Sequence, residues 1–371
     1  MGKNILITGG AGFVGSFLAE ELLRRGHAVR IFDNLEPQVH PKGLPDYLPA
    51  DAEFTKGDVR DYDCLGRALA GVEVVFHLAA MVGMGQSQYK IKHYVDVNTG
   101  GTANLLDLLV NRRDKLAVKK LIVASSMSSY GEGLYRSASG RLIQPPLRTE
   151  PGPGRWEPTD PESGQPLTAV PTPESTPFSA GAIYALTKAE QERMVMSIGR
   201  TYEIPVVGMR FFNIYGPRQS LSNPYTGVVA IFLSMIKNGK PPVIFEDGLQ
   251  TRDFISVHDV VAALVAVMGS RKADYQVFNV GTGRPRTVLS VAEVLARVYG
   301  AELEPQVTEQ FRKGDVRHCY ADISRLTEAT GWEPKVAFED GMRELVDWSR
   351  TATAIDSFDK YRKELVAHGL I

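Results

Sequence analysis

The sequence predicts a doubly wound α/β protein: a parallel sheet with helices on both faces, followed by a smaller C-terminal α/β substrate lobe. Three observations carry this expectation. Over the first two hundred residues, short β-branched runs alternate with helical patterns, the order that builds parallel βαβ units. Most of those strands are apolar nearly throughout, as strands covered on both faces must be. Finally, "ITGGAGFVGS" sets Gly9, Gly12 and Gly15 at GxxGxxG spacing between the first strand and the first helix.

In chain order the strands read "NILIT", "AVRIF", "AEFTKGDV", "VEVVFHLA", "KKLIVASS" and "VVGMRFF". Helical patterns between them cover roughly 13–25, 61–70, 92–112 and 183–201. Residues 132–178 break the alternation, and ten of the 22 prolines fall between Pro145 and Pro177. A loop of that length inside a compact domain is usually functional or disordered, so we expect an irregular insertion over the active-site mouth. From Asn213 onward the elements shorten. The expected division is a dinucleotide-binding domain at 1–213, with 254–269 packing back onto it, a second lobe at 214–253 and 270–350, and a tail or helix at 351–371.

Composition narrows the function classes. A chain of 371 residues is long for one core, which favours two closely packed domains. With a net charge of −1 there is no electrostatic reason to expect nucleic acid or an anionic membrane as partner. No apolar run approaches the length of a membrane span. Cys64 and Cys319 have no CxxC spacing and are too few for a disulfide framework. Together with a start that runs straight into a strand, this leads us to expect a cytoplasmic protein.

The glycine-rich turn allows backbone N–H groups at a helix N-terminus to approach a pyrophosphate. Asp33 ends the second strand about 20 residues on, where a carboxylate binds a ribose 2′-hydroxyl and repels a 2′-phosphate, so NAD is expected over NADP. Asp58 of "GDV" closes the third strand, where its side chain can reach an adenine amine. "YALTK" sets Tyr184 and Lys188 at i and i+4, on one helix face. A free tyrosine titrates near ~10, and bringing it to about 7 takes roughly 4 kcal/mol, which an ammonium and an oxidised nicotinamide together could supply. His77 and His258 read as packing residues.

These motifs resemble the extended short-chain dehydrogenases/reductases, and within them the nucleotide-sugar epimerase/dehydratase group. The resemblance runs from "TGGAGFVGS" through "HLAA", "VNTGGTANLL", "SSMSSYG", "YALTK", "RFFNIYGPRQ" and "TRDFISVHDV" to "GDVRHCYADISR". It implies a Rossmann domain, a C-terminal nucleotide-sugar lobe, and a homodimer through helices at about 92–112 and 183–201. It also implies that Tyr184, Lys188 and Ser126 are catalytic. The cofactor would be held by Gly9, Gly12, Phe13, Val14, Gly15, Asp33, Asn34, Asp58, Val59, Leu78, Ala79 and Ala80, with Asn98 supporting the active-site helix. On the substrate side the resemblance selects Ser126, Asn213, Val228, Val243, Phe245, Arg252, Arg312 and Asp315. Arg252 and Arg312 would face the diphosphate, and Val243 and Phe245 the base. Cys319 would stand beside the sugar as a small side chain.

Two departures sharpen the reading. Dehydratases of this group carry Asp-Glu after the catalytic hydroxyl; Met127 and Ser128 stand there instead, so hydride chemistry at one carbon remains. The insertion's "WEPTDPESGQPL" and "YRSASGR" resemble a branch related to dTDP-L-rhamnose 4-epimerases, in which this segment often carries cysteine pairs. Here Ser137, Asp160 and Ser163 occupy the corresponding places, so no metal is expected. The expected activity is NAD-dependent C4 epimerisation of a nucleotide sugar, with a dTDP-6-deoxyhexose favoured. A UDP-hexose 4-epimerase, a 4-ketoreductase and a non-catalytic dinucleotide sensor stay open.

Overall fold

The computed structural model describes residues 2–149 and 154–371. Seven short runs pair in parallel into one sheet: β1 (Asn4–Thr8), β2 (Ala28–Asp33), β3 (Glu53–Lys56), β4 (Val74–His77), β5 (Lys120–Ser126), β6 (Val206–Phe211) and β7 (Gln276–Val280). Their spatial order is β7-β6-β5-β4-β1-β2-β3. The order reverses beside β1, and such a switch point opens a crevice at the carboxyl ends of the strands. The longer helices are α1 (Phe13–Arg24), α2 (Tyr62–Ala68), α3 (Gly101–Asn111), α4 (Ile183–Thr201), α5 (Val228–Lys237), α6 (Val257–Gly269), α7 (Val288–Tyr299), α8 (Phe338–Ser349) and α9 (Phe358–Ala367).

Side chains alternate along each strand, so one strand feeds two cores. Ile5 and Ile7 of β1 pack with Leu18 and Leu22 of α1 and with Val260 and Leu264 of α6. Leu6 points the other way, joining Leu105 and Leu109 of α3 and Val195 of α4. Residues 257–269 therefore cover the large sheet, although they follow much of the second lobe in sequence. That lobe has its own core, in which Leu233 of α5, Val291 of α7 and Leu345 of α8 meet.

Two expectations need correction. The run "QVFNV", expected in the smaller lobe within 270–350, is β7 of the large sheet, with Phe278 opposite Met209 of β6. A five-residue apolar run looks the same in either place; only the distant partner decides.

The insertion, though irregular over most of its described length, does not cover the mouth. Leu134–Arg136 pairs antiparallel with both Leu142–Ile143 and Thr168–Val170, making a three-stranded sheet. It packs behind the second lobe, where Gly133 N donates to His318 O at 3.1 Å and Thr172 bridges to Ala321. Ion pairs fasten it: Arg148 to Glu132 at 3.1 Å and to Glu246 at 2.8 Å, while Arg317, itself paired with Glu246 at 3.0 Å, holds Glu157 of the insertion at 2.5 Å. Where thiolates would stand, Ser137 Oγ accepts from Arg141 N at 3.1 Å, and Arg141 pairs with Asp160 at 2.9 Å. The Ser163 hydroxyl accepts from Gln165 N at 3.4 Å.

Candidate active site

At the carboxyl ends of β1, β4 and β5 lies a cavity of about 570 Å³ whose wall is completed by the second lobe. None of the described residues of 132–178 lines it.

The cavity's dinucleotide side is shaped by glycine. Gly9 has φ +71°, and a Cβ there would meet Ala79 N at 2.8 Å. A Cβ on Gly15 would stand 2.4 Å from Gly9 O, so only glycine lets α1 start this close to the turn. No side chain caps α1 at Gly12, which leaves its first-turn N–H groups open to an anion. Asp33 Oδ2 accepts from Ala11 N at 3.0 Å and Oδ1 from Leu35 N at 2.8 Å, which fixes the carboxylate at the cavity edge. Burial raises its carboxyl, and these backbone donors pull the other way. The Arg60 guanidinium holds Asp58 down at about 2, and Asn34 donates to the same carboxylate at 3.0 Å. A glycine cradle, a free helix N-terminus and a strand-end carboxylate fit a dinucleotide without a 2′-phosphate.

Every cofactor position named from sequence lines the cavity except Asn98. Asn98 is fully buried in a π-helical turn, Val95–Gly100, and acts as a strut. Its amide donates to Thr187 Oγ1 of α4 at 3.0 Å and its Oδ1 accepts from Met81 N at 2.8 Å. It therefore ties α4 to the loop after β4.

Tyr184 and Lys188 lie in the first turns of α4 and reach the end of β5. Lys188 Nζ donates to Ala124 O at 2.9 Å. Ser126 begins the turn Met127–Tyr130, accepting from the Ser128 N–H at 3.2 Å and from the Ser128 hydroxyl at 2.8 Å. Burial raises the Tyr184 phenol above its usual range, and a hydrogen bond with Ser126 lowers it. Burial also pushes the Lys188 ammonium down to about 7. Burial thus opposes charge on both groups. Met127 and Ser128 line the cavity and bring no carboxylate to it.

On the substrate side, Asn213, Val228, Val243, Phe245, Arg252, Arg312 and Asp315 all line the cavity. Asn213 Oδ1 is buried without a hydrogen-bond partner among the described residues, a ready acceptor for a sugar hydroxyl. Asp315 pairs with Arg252 and Arg312 at 2.8 Å each. Burial would raise its carboxyl, but the Arg312, Arg252 and Arg148 guanidinium groups hold it low.

Cys319 does not reach the cavity. It packs behind Met127 and Phe212, its thiol donating to Thr172 Oγ1 of the insertion at 3.9 Å. A one-dimensional match places it beside the sugar, whereas the insertion's packing draws it into a separate small core. His77 is buried between Thr8 and Thr102, and burial drives its ring down to about 3, so it stays neutral. His258 pairs with Glu344 at 2.8 Å on the far side of α6.

Sequence reasoning missed several cavity residues: Met84 and Gly85 after β4, Tyr225 before α5, and Tyr361 and Leu365 of α9. The one available signal was the amphipathic "FDKYRKELVA", which indicates a helix but not its destination.

This fold and cavity define a dinucleotide-dependent enzyme of the doubly wound α/β class. The chain belongs to the NAD dependent epimerase/dehydratase family, which matches it over residues 5–281. A dTDP-L-rhamnose 4-epimerase from Burkholderia thailandensis is 36% identical over 352 residues, covering 94% of this chain and 95% of the relative. The crystal structure of a UDP-glucose 4-epimerase with UDP-glucose from Thermotoga maritima superposes with a TM-score of 0.78 at 31% identity, covering 94% and 98% of the two chains. That of a Thermus thermophilus UDP-glucose 4-epimerase with NAD gives 0.74 at 29% identity, covering 94% and 100%. The chain is thus an NAD-dependent nucleotide-sugar epimerase.

Proposed function

We propose that the protein inverts C4 of a dTDP-6-deoxyhexose, with dTDP-L-rhamnose as the model substrate. The observation that carries this is the Tyr184, Ser126 and Lys188 cluster followed by Met127 and Ser128, which offers one proton acceptor and no acid pair for dehydration. Tyr184 takes the C4 hydroxyl proton and later returns it, and Ser126 hydrogen-bonds the same oxygen. Lys188, held by Ala124 O, fixes the helix face that presents Tyr184. NAD, when bound, supplies the acceptor and then the donor of the C4 hydride. Positioned proton transfer of this kind contributes about 10²–10⁴-fold. The 36% identical dTDP-L-rhamnose 4-epimerase supports the choice of sugar.

The test is incubation of purified protein with a panel of dTDP- and UDP-sugars, without added cofactor. C4-inverted dTDP-6-deoxyhexose is expected. Inversion of UDP-hexoses alone would move the assignment to that class, and stoichiometric NAD(P)H consumption would make the protein a ketoreductase. An absence of turnover across the panel would support the sensor reading.

We also infer that the chain works as a homodimer in the cytoplasm, within carbohydrate biosynthesis. An outward groove lined by Leu106 and Val110 of α3 and Leu186, Met194 and Ile198 of α4 supports the dimer. No described helix is long and apolar enough to cross a membrane.

A further inference from the structure

Helix α9 crosses the cleft between the two lobes. On the dinucleotide side, Tyr89 donates to Glu364 at 2.7 Å, and its ring stacks on His368 with centroids 4.2 Å apart. Tyr225 donates to the same carboxylate. A Cβ on Gly85 would stand 2.9 Å from Leu365, so the helix rests directly on backbone there. On the other side, Arg312 donates to the Tyr361 hydroxyl at 3.0 Å, and Lys313 N donates to Leu370 O at 2.9 Å. Phe358, Tyr361 and Leu365 pack as one apolar cluster with Phe245 and Met235, with Val243 and Tyr225 against them.

Two features separate this helix from a simple brace. Tyr361 and Leu365 form cavity wall, beside Val243, Phe245 and Arg312. Tyr361 also shares Arg312 with Asp315, which lies 2.8 Å from that guanidinium. The guanidinium is thereby held by a carboxylate and a phenol and stands 5.7 Å from the Phe245 ring centre. An apolar, aromatic slot adjoining a pre-oriented arginine is the chemistry a nucleoside diphosphate needs: a flat base beside charged phosphates.

We propose that α9 forms a wall of the nucleotide subsite, with Leu365 and the Tyr361 ring contacting the base and the Tyr361 hydroxyl orienting Arg312 toward the diphosphate. This rests on the reading of the substrate as a nucleoside-diphosphate sugar. It makes α9 a binding element contributed from outside the two lobes.

The experiment uses the NAD-loaded full chain, with dTDP and UDP as probes. In wild type, dTDP is expected to slow amide exchange across 358–367. Tyr361→Phe keeps the packing and is expected to weaken dTDP binding by about tenfold in calorimetry, the scale of one hydrogen bond to a charged group. NAD content should be unchanged. Leu365→Ala is expected to lower dTDP affinity as well. Unchanged exchange in α9 together with Tyr361→Phe affinity within about twofold of wild type overturns the proposal while leaving the substrate reading intact. A wild type that binds neither dTDP nor UDP overturns both.

Discussion

Tyr184 stands half-buried in the cavity wall, where loss of water makes its own ionisation harder. The phenol is raised by burial, and Lys188, which shares that environment, is brought from its ordinary 10.5 to about 7. Tyr184→Phe keeps the ring's packing and removes the hydroxyl. We expect it to abolish turnover while nucleotide-sugar affinity stays within a few-fold, and Ser126→Ala to be milder. Single-turnover absorbance of the nicotinamide checks this: near wild-type reduction by Tyr184→Phe would mean another residue is the proton acceptor. Lys188 also makes stability depend on pH. Between about 7 and 10.5 the unfolded lysine holds a proton that the folded one has lost, so stability rises with pH across that window. Lys188→Met is expected to flatten the slope of melting temperature against pH there, and an unchanged slope would show that the burial effect is not realised. The places of the glycines, Asp33, Tyr184 and Lys188 at the cavity were legible because strand ends and helix spacing set them. Cys319 was not, because its surroundings come from Thr172, far away in sequence.

At the scale of elements, the insertion illustrates how charge can anchor a segment with few long strands. Arg148, Glu132, Glu246 and Arg317 are all buried, and each carboxylate meets more than one donor. Removing one partner from such a set leaves a charge in a dry place, typically at a cost of about 3–5 kcal/mol. Arg148→Met should therefore lower the melting temperature and make residues 137–165 sensitive to limited proteolysis. Wild-type resistance would show that the insertion is held by its backbone pairing instead. Composition alone pointed to an irregular segment because proline and glycine say where regular structure stops. They are silent on charged groups, such as Arg148 and Glu246, that pair across 98 residues.

For the whole molecule, the sheet order brings the glycine turn, the end of β5 and the start of α4 to one crevice, and the second lobe closes it. The outward faces of α3 and α4 carry no such cover among the described residues, and Leu186 stays half-exposed. Leu186→Asp is expected to convert a dimer to a monomer in analytical ultracentrifugation, with bound NAD retained. A wild type that sediments as a monomer would remove the dimer from the description.

The pattern of strands and helices, the cofactor cradle and the Tyr184–Lys188 pair were determined by the sequence alone. Each depends on residues within a turn or two of one another, where backbone geometry leaves few alternatives. Three things were decided only by tertiary structure: the place of Gln276–Val280 in the large sheet, the seat of the insertion behind the lobe, and the arrival of α9 at the cavity. All three depend on which distant surface buries an apolar or charged face. The free energy of that choice is shared among residues far apart in the chain, so no short stretch carries its signature.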